Sequence, residues 1–128
     1  MPEKSVQNDI LEACGGLPFI RLWRQNTGAA RYKDPATGKE RWVRFGLPGA
    51  PDLTGVLRCG IRVDVEVKSE TGTASEEQER YARMAAAFGV LYVLARAVPH
   101  VQSKLAQHLT CCAACRHATP YRPETPAR

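Results

Sequence analysis

Asp52, Glu66 and Lys68 are the residues whose types and spacing best suit chemistry on a charged ester. Glu66 and Lys68 lie in "VDVEVKSE" (63–70), where Val63, Val65 and Val67 alternate with Asp64, Glu66 and Lys68. That two-residue period is a strand's, so Glu66 and Lys68 leave one face with Cα atoms roughly 6.5–7 Å apart. Asp52 precedes Glu66 by a spacer of thirteen residues and ends the bent stretch "GLPGAPD" (46–52). A turn at Arg58-Cys59-Gly60 folds it back beside 65–68. Asp52 shares the face of Glu66 if it meets an even-numbered partner or stands off the strand in its own loop. Two carboxylates so placed repel, and each raises the other's pKa unless a cation lies between them. Carboxylate oxygens completed by water suit Mg²⁺ or Mn²⁺. A divalent ion that polarises a phosphoryl oxygen and activates water, beside an ammonium, has the parts for phosphodiester hydrolysis. Taken alone, E-x-K on a strand is most often a solvated face with a cross-strand ion pair. Asp64, on the same alternation, reads as solvated or paired with Arg62.

A partner for such a site must be negatively charged, and the chain is basic, with a net charge of +5. Between residues 21 and 44 lie Arg21, Arg24, Arg31, Lys33, Lys39, Arg41 and Arg44, against only Asp34 and Glu40. Trp23, Tyr32, Trp42 and Phe45 are interleaved with them. One reading is a solvated hairpin whose aromatics face the core. The other is a surface that tracks a phosphate backbone, with Arg24, Asn26, Arg31, Lys33, Arg41 and Arg44 as contacts.

The elements that must position these residues are legible from period and punctuation. Residues 3–14 read as a helix with Val6, Ile10 and Ala13 or Cys14 on one face and Gly15-Gly16 as its stop. "FIRLW" (19–23) reads as a short strand, and "DPATG" (34–38) as the turn of a hairpin between two β-like runs. "DLTGVL" (52–57) and the stretch from 63 form two further strands. The clearest helix spans 75–88: Ser75 is its N-cap, Gln78 completes a capping box, and Tyr81, Met84, Ala85 and Phe88 form a buried stripe. "VLYVLA" (90–95) is apolar throughout and reads as an interior strand, followed by a helix over about 99–109. This order is an α/β domain with a mixed central sheet flanked by helices, αβββαβ.

At 128 residues, 44% apolar and 24% charged, the chain has the composition of one ordinary globular domain. It has no apolar run near the roughly 20 residues that span a bilayer. "MPEKSVQNDI" has neither the basic start nor the apolar stretch of a signal peptide, so no membrane partner and a cytoplasmic location are expected.

Cys14, Cys59, Cys111, Cys112 and Cys115 are an odd set and read as reduced thiols. "CCAACRH" (111–117) holds one C-x-x-C, with Cys111, His108 and His117 nearby. Zinc usually takes two separated ligand pairs. A Zn²⁺ site from Cys111, Cys112, Cys115 and His117 would be cramped within one chain, so it is not expected unless two subunits share the ion. The division that follows is a domain at 1–110 and a Cys- and Pro-rich tail at 111–128, expected to be flexible.

"PGAPD" (48–52), "EVK" (66–68) and "SEEQERY" (75–81), with "WRQNTGAAR" (23–31), "RFGLPGAPD" (44–52) and "YVLAR" (92–96), resemble a known family. The resemblance is to the VRR-NUC branch of the PD-(D/E)xK nucleases, as found in small stand-alone proteins of phages and bacteria, and it covers about residues 3–105. It implies a restriction-endonuclease-like core and a divalent-metal-dependent DNA endonuclease, with Mg²⁺ or Mn²⁺ as cofactor and branched or junction DNA as a plausible substrate. It implies Asp52 and Glu66 as metal ligands helped by the Val67 carbonyl. Lys68 would position or activate water and stabilise developing charge, and Gln78 would orient Lys68 or the water. The family's helical "E-x-x-x-Q" falls on Glu3 and Gln7, which implies Glu3 as a further catalytic residue; Glu12, on the same helix, does not match it and ranks below Glu3. Small members of the family are expected to form homodimers, and a chain with one site needs a dimer to cut two strands symmetrically. For a phage-encoded protein the location would be the host cytoplasm.

Blander roles stand beside these. Gln78 can serve only the capping box. Tyr81 and Phe88 are most simply core, as buried aromatics are the commoner case for Trp23 and Trp42. Two other functions fit the same residues: a catalytically silent DNA-binding module on the same fold, and a scaffold whose E-x-K face is an ion-pair strip.

Overall fold

The structure, a computed structural model, describes residues 2–26 and 28–123, with Phe45 described in its backbone only. Helix α1 (Glu3–Cys14) buries Val6, Ile10 and Cys14, one residue per turn on a single stripe. Strands β1 (Ile20–Arg24), β4 (Leu53–Leu57), β5 (Arg62–Val67) and β6 (Leu91–Ala95) form one sheet in the order β1-β4-β5-β6. The first three are mutually antiparallel and β6 runs parallel to β5, so the sheet is mixed. Helix α2 (Glu76–Ala87) is the crossover between β5 and β6, and α3 (Val98–Cys111) follows β6. The expected string αβββαβ is met by α1, β1, β4, β5, α2 and β6, with a hairpin, β2 (Gly28–Lys33) and β3 (Glu40–Phe45), inserted after β1.

Both faces of β5 are covered. Val63, Val65 and Val67 join Val6, Ile10, Val101 and Leu105 in the core beneath α1 and α3. Asp64 and Glu66 point to the other face, where Tyr81 and Gln78 of α2 meet them. Everything in β5 after Arg62 is buried. Alternation of apolar and polar residues therefore reports side here and not depth.

The hairpin stands apart as its own two-stranded sheet, with every residue of β2 exposed. Its turn is built as the residue types dictate: Asp34 Oδ1 accepts from the Ala36 N–H at 2.8 Å, and Gly38 adopts φ +73°. Trp23, Tyr32 and Trp42 do not face the core. Trp42 is 67% exposed and Tyr32 45%, because among the described residues no helix covers a ribbon unpaired with the main sheet, while Trp23, on β1 of the main sheet, is 51% exposed. Phe88 likewise departs from the expected buried stripe at 81% exposed: α2 ends at Ala87, and Phe88 is its non-helical cap.

The expected boundary at residue 110 falls inside α3, and the chain then forms α4 (Ala113–Arg116). Cys115 of α4 is 2% exposed and part of the core, so 111–116 belong to the folded body and not to a flexible tail. Residues 124–128 of that tail lie outside the described residues. Among the described residues no helix is long and apolar enough to cross a membrane.

Candidate functional site

The antiparallel register Leu53↔Val65 and Thr54↔Asp64, continued by one residue, sets Asp52 opposite Glu66. This is the even-numbered pairing that lets the two carboxylates share a face. Asp52 Oδ2 accepts from the backbone N–H of Val67 at 2.9 Å, which ties its carboxylate to the end of β5. The loop before it is forced close to α2. A Cβ on Gly49, whose φ is +77°, would stand 2.2 Å from the Glu77 carbonyl oxygen and 2.7 Å from the Gln78 nitrogen. Only glycine allows that approach.

The approach brings Gln78 to Glu66, and the Gln78 side chain serves the capping box and a contact with Glu66 at once. Its Oε1 accepts from the Ser75 N–H at 2.9 Å, and Ser75 Oγ accepts from the Gln78 N–H at 3.1 Å, completing the capping box. Its Nε2 donates to Glu66 Oε1 at 2.9 Å. The side chain it orients is thus Glu66 and not Lys68. Lys68 Nζ lies 3.7 Å from the same Glu66 oxygen. Glu3 Oε1 accepts from the Ser69 N–H at 3.2 Å, so the first helix reaches the residue after Lys68. Asp52, Glu66, Lys68, Gln78 and Glu3 therefore converge from a loop, a strand end and two helices.

Glu66 is the strained member. It is 2% exposed, and its Oε2 is buried with no hydrogen-bond partner among the described residues. Burial first, and then the Asp52 carboxylate, push its pKa up to about 8, with the Lys68 ammonium acting in the opposite direction. Asp64, two residues earlier, is the contrast. It is fully buried, and its Oδ1 accepts from Thr54 Oγ1 at 2.6 Å and Arg62 Nε at 3.1 Å. Its Oδ2 accepts from the Tyr81 hydroxyl at 2.6 Å. The pairing with Arg62 was expected; a solvated Asp64 is ruled out. Tyr81 is core as expected, with its phenol pushed up to about 12 by burial and by its bond to Asp64.

Two residues beyond the expected set shape the site. Arg96 donates through one nitrogen to the carbonyls of Ser69, at 2.5 Å, and Gly72, at 2.7 Å, and so clamps the loop that follows Lys68. Tyr92, which packs near Tyr81, has its phenol raised by burial first and then by Glu66. No local spacing signalled Arg96, because its partners are backbone carbonyls distant in sequence.

The expected backbone-tracking residues divide. Arg31 stacks over Trp42 at 5.5 Å and Arg41 over Tyr32 at 5.3 Å, on the exposed ribbon with Lys33. Asn26 and Arg44 are exposed, and Arg44 lines a cavity of about 390 Å³ with Gly46, Pro48, Gly49 and Glu77. Arg24, also exposed, is bonded to Gln7 and Asn8 of α1, so its guanidinium braces the helix that carries Glu3.

A second cluster lies at the other end of β5. Cys59, His108, Cys112 and Cys115 bring their ligand atoms within 4.8 Å of one another, an arrangement that could hold a metal ion. The expected set is corrected: Cys59 stands in place of Cys111, and His108 in place of His117. The β4–β5 turn supplies the separated ligand that the C-terminal segment lacks.

No family model, curated protein or solved structure matches this chain.

Proposed function

We propose that the chain is a divalent-metal-dependent DNA nuclease built on a restriction-endonuclease-like core, with Asp52, Glu66, Lys68 and Gln78 as its working residues. The observation that carries this reading is the Glu66 carboxylate: it is buried beside Asp52 with Oε2 unpartnered, while Gln78 and Lys68 hold Oε1. A buried unpaired carboxylate oxygen is costly, and a cation shared with Asp52 removes the cost. The donors fit Mg²⁺ or Mn²⁺: two carboxylates and a nearby backbone carbonyl, at Val67, are hard oxygen ligands. Such an ion would supply Lewis acidity toward a phosphate ester.

The chain's own residues do the rest. Asp52 is fixed in direction by the Val67 N–H, and Glu66 by the Gln78 amide, so neither carboxylate reorganises on binding. In hydrolysis a water oxygen bonds to phosphorus, the ester oxygen departs, and a proton from the water ends on the departing oxygen. The Lys68 ammonium, beside Glu66, offsets the negative charge that grows on the phosphoryl oxygens. Glu3 and Arg96 bond to the loop after Lys68, Glu3 at the Ser69 N–H and Arg96 at the Ser69 carbonyl.

Lys68→Ala tests the reading. Cleavage of labelled DNA in Mg²⁺ should fall by about 10²–10³-fold or more, while binding in a shift assay stays nearly unchanged, because Lys68 acts on charge that develops in the transition state. Equal loss of binding and cleavage would move Lys68 into the binding surface and overturn its assigned role.

A further inference from the structure

We propose that Cys59, His108, Cys112 and Cys115 form a structural zinc site that fastens the β4–β5 turn to the end of α3 and to α4. The four ligand atoms lie within 4.8 Å of one another. His108 Nε2 stands 3.7 Å from Cys59 Sγ and 3.4 Å from Cys115 Sγ. A tetrahedral zinc with Zn–S of about 2.3 Å and Zn–N of about 2.0–2.1 Å sets S···N at about 3.6 Å. The two observed separations bracket that value.

The donor set selects the metal. Three thiols and an imidazole match the Cys₃His sites of zinc, and four protein ligands leave no position for water, so the site is closed and not catalytic. Cys111 is exposed and stands outside the group of ligand atoms that cluster, its sulfur lying 3.6 Å from Thr110 Oγ1 instead.

The fold shows what the ion would hold. α4 spans Ala113–Arg116 only, too short to be stable alone, yet it places Cys115 in the core. The turn carrying Cys59 leads into β5 at Arg62, whereas Glu66 and the Asp52 contact at Val67 lie at that strand's far end, roughly 17 Å away along the chain. The proposal is thus independent of the nuclease reading.

The full chain, purified reduced from zinc-supplemented cells, should carry stoichiometric zinc by elemental analysis. With Co²⁺ in its place, the protein should show tetrahedral d–d bands and thiolate-to-metal charge transfer. Cys111→Ser should retain both. Cys59→Ser should lower Zn²⁺ affinity by more than the roughly 10–100-fold cost of losing an outer-shell partner. Should Cys59→Ser not fold, thiol labelling of the unaltered protein decides. With zinc bound, Cys111 alone should react quickly, and a strong chelator should release Cys59, Cys112 and Cys115 together. Absence of zinc and of the cobalt spectrum, a Cys112–Cys115 disulfide in the native protein, or undiminished zinc affinity in folded Cys59→Ser would overturn the proposal.

Discussion

Two carboxylates on one strand, Asp64 and Glu66, are both buried, and they should respond oppositely to removal. Asp64 satisfies Thr54, Arg62 and Tyr81. Asp64→Ala strands two buried hydroxyl donors and should cost about 2–4 kcal/mol in denaturant unfolding. Glu66 leaves Oε2 unpartnered beside Asp52. Its folded pKa of about 8 lies above its ordinary 4.5, so between these values the folded state binds the extra proton. Stability from this group is full below about 4.5 and is lost as pH rises through about 8. The metal-free melting temperature should therefore fall across that range, and Glu66→Gln should flatten the fall. A melting temperature that rises with pH there, with Glu66→Gln making no difference, would show Glu66 to be an ordinary paired carboxylate.

At the scale of elements, the site depends on one close approach and one projecting ribbon. Gly49→Ala puts a methyl 2.2 Å from the Glu77 carbonyl at a φ of +77°. It should cost about 1–3 kcal/mol in backbone strain and displace the first turn of α2, which carries Gln78. Cleavage should then fall further than DNA binding. An unchanged melting temperature would mean that the loop moves freely from α2. The β2–β3 ribbon makes a separate claim. Neutralising Arg31, Lys33 and Arg41 together should weaken DNA binding similarly on unrelated sequences. It should also flatten the salt dependence, by a slope of about 0.9 for each phosphate no longer neutralised. Parallel slopes for parent and triple mutant would place DNA elsewhere. Arg24 is left out because it braces α1.

These elements also show what the sequence could and could not disclose. α1 runs over Glu3–Cys14 as its apolar spacing and glycine stop require, and Ser75 caps α2 as its capping box requires. Both signals are local. The burial of Asp64 and Glu66 was not legible, because strand alternation cannot say that a second layer covers the polar face. The exposure of Tyr32 and Trp42 was not legible either, since aromatic composition suggests a core and only topology shows the ribbon to be uncovered. Cys59 was visible as a turn residue, but nothing local ties it to His108, which lies 49 residues on in another element.

At the scale of the whole molecule, β5 joins two ends of different chemistry. Hard oxygen donors gather near Val67, and soft sulfur and nitrogen donors gather by the turn that precedes Arg62. Under the proposed reading the first end acts and the second holds the fold together. One chain presents one carboxylate pair, so cutting both strands of a junction symmetrically would need two copies. The most direct measurement of the central claim is incubation of the protein and its Glu66→Gln variant with labelled duplex, nicked, flap and junction DNA, in Mg²⁺, in Mn²⁺ and in chelator. The proposed reading predicts metal-dependent cleavage of at least one structure by the parent, none in chelator, and loss of cleavage with DNA binding retained in Glu66→Gln. Absence of cleavage of every structure by folded, DNA-binding parent protein in both metals, or equal cleavage by Glu66→Gln, would contradict it.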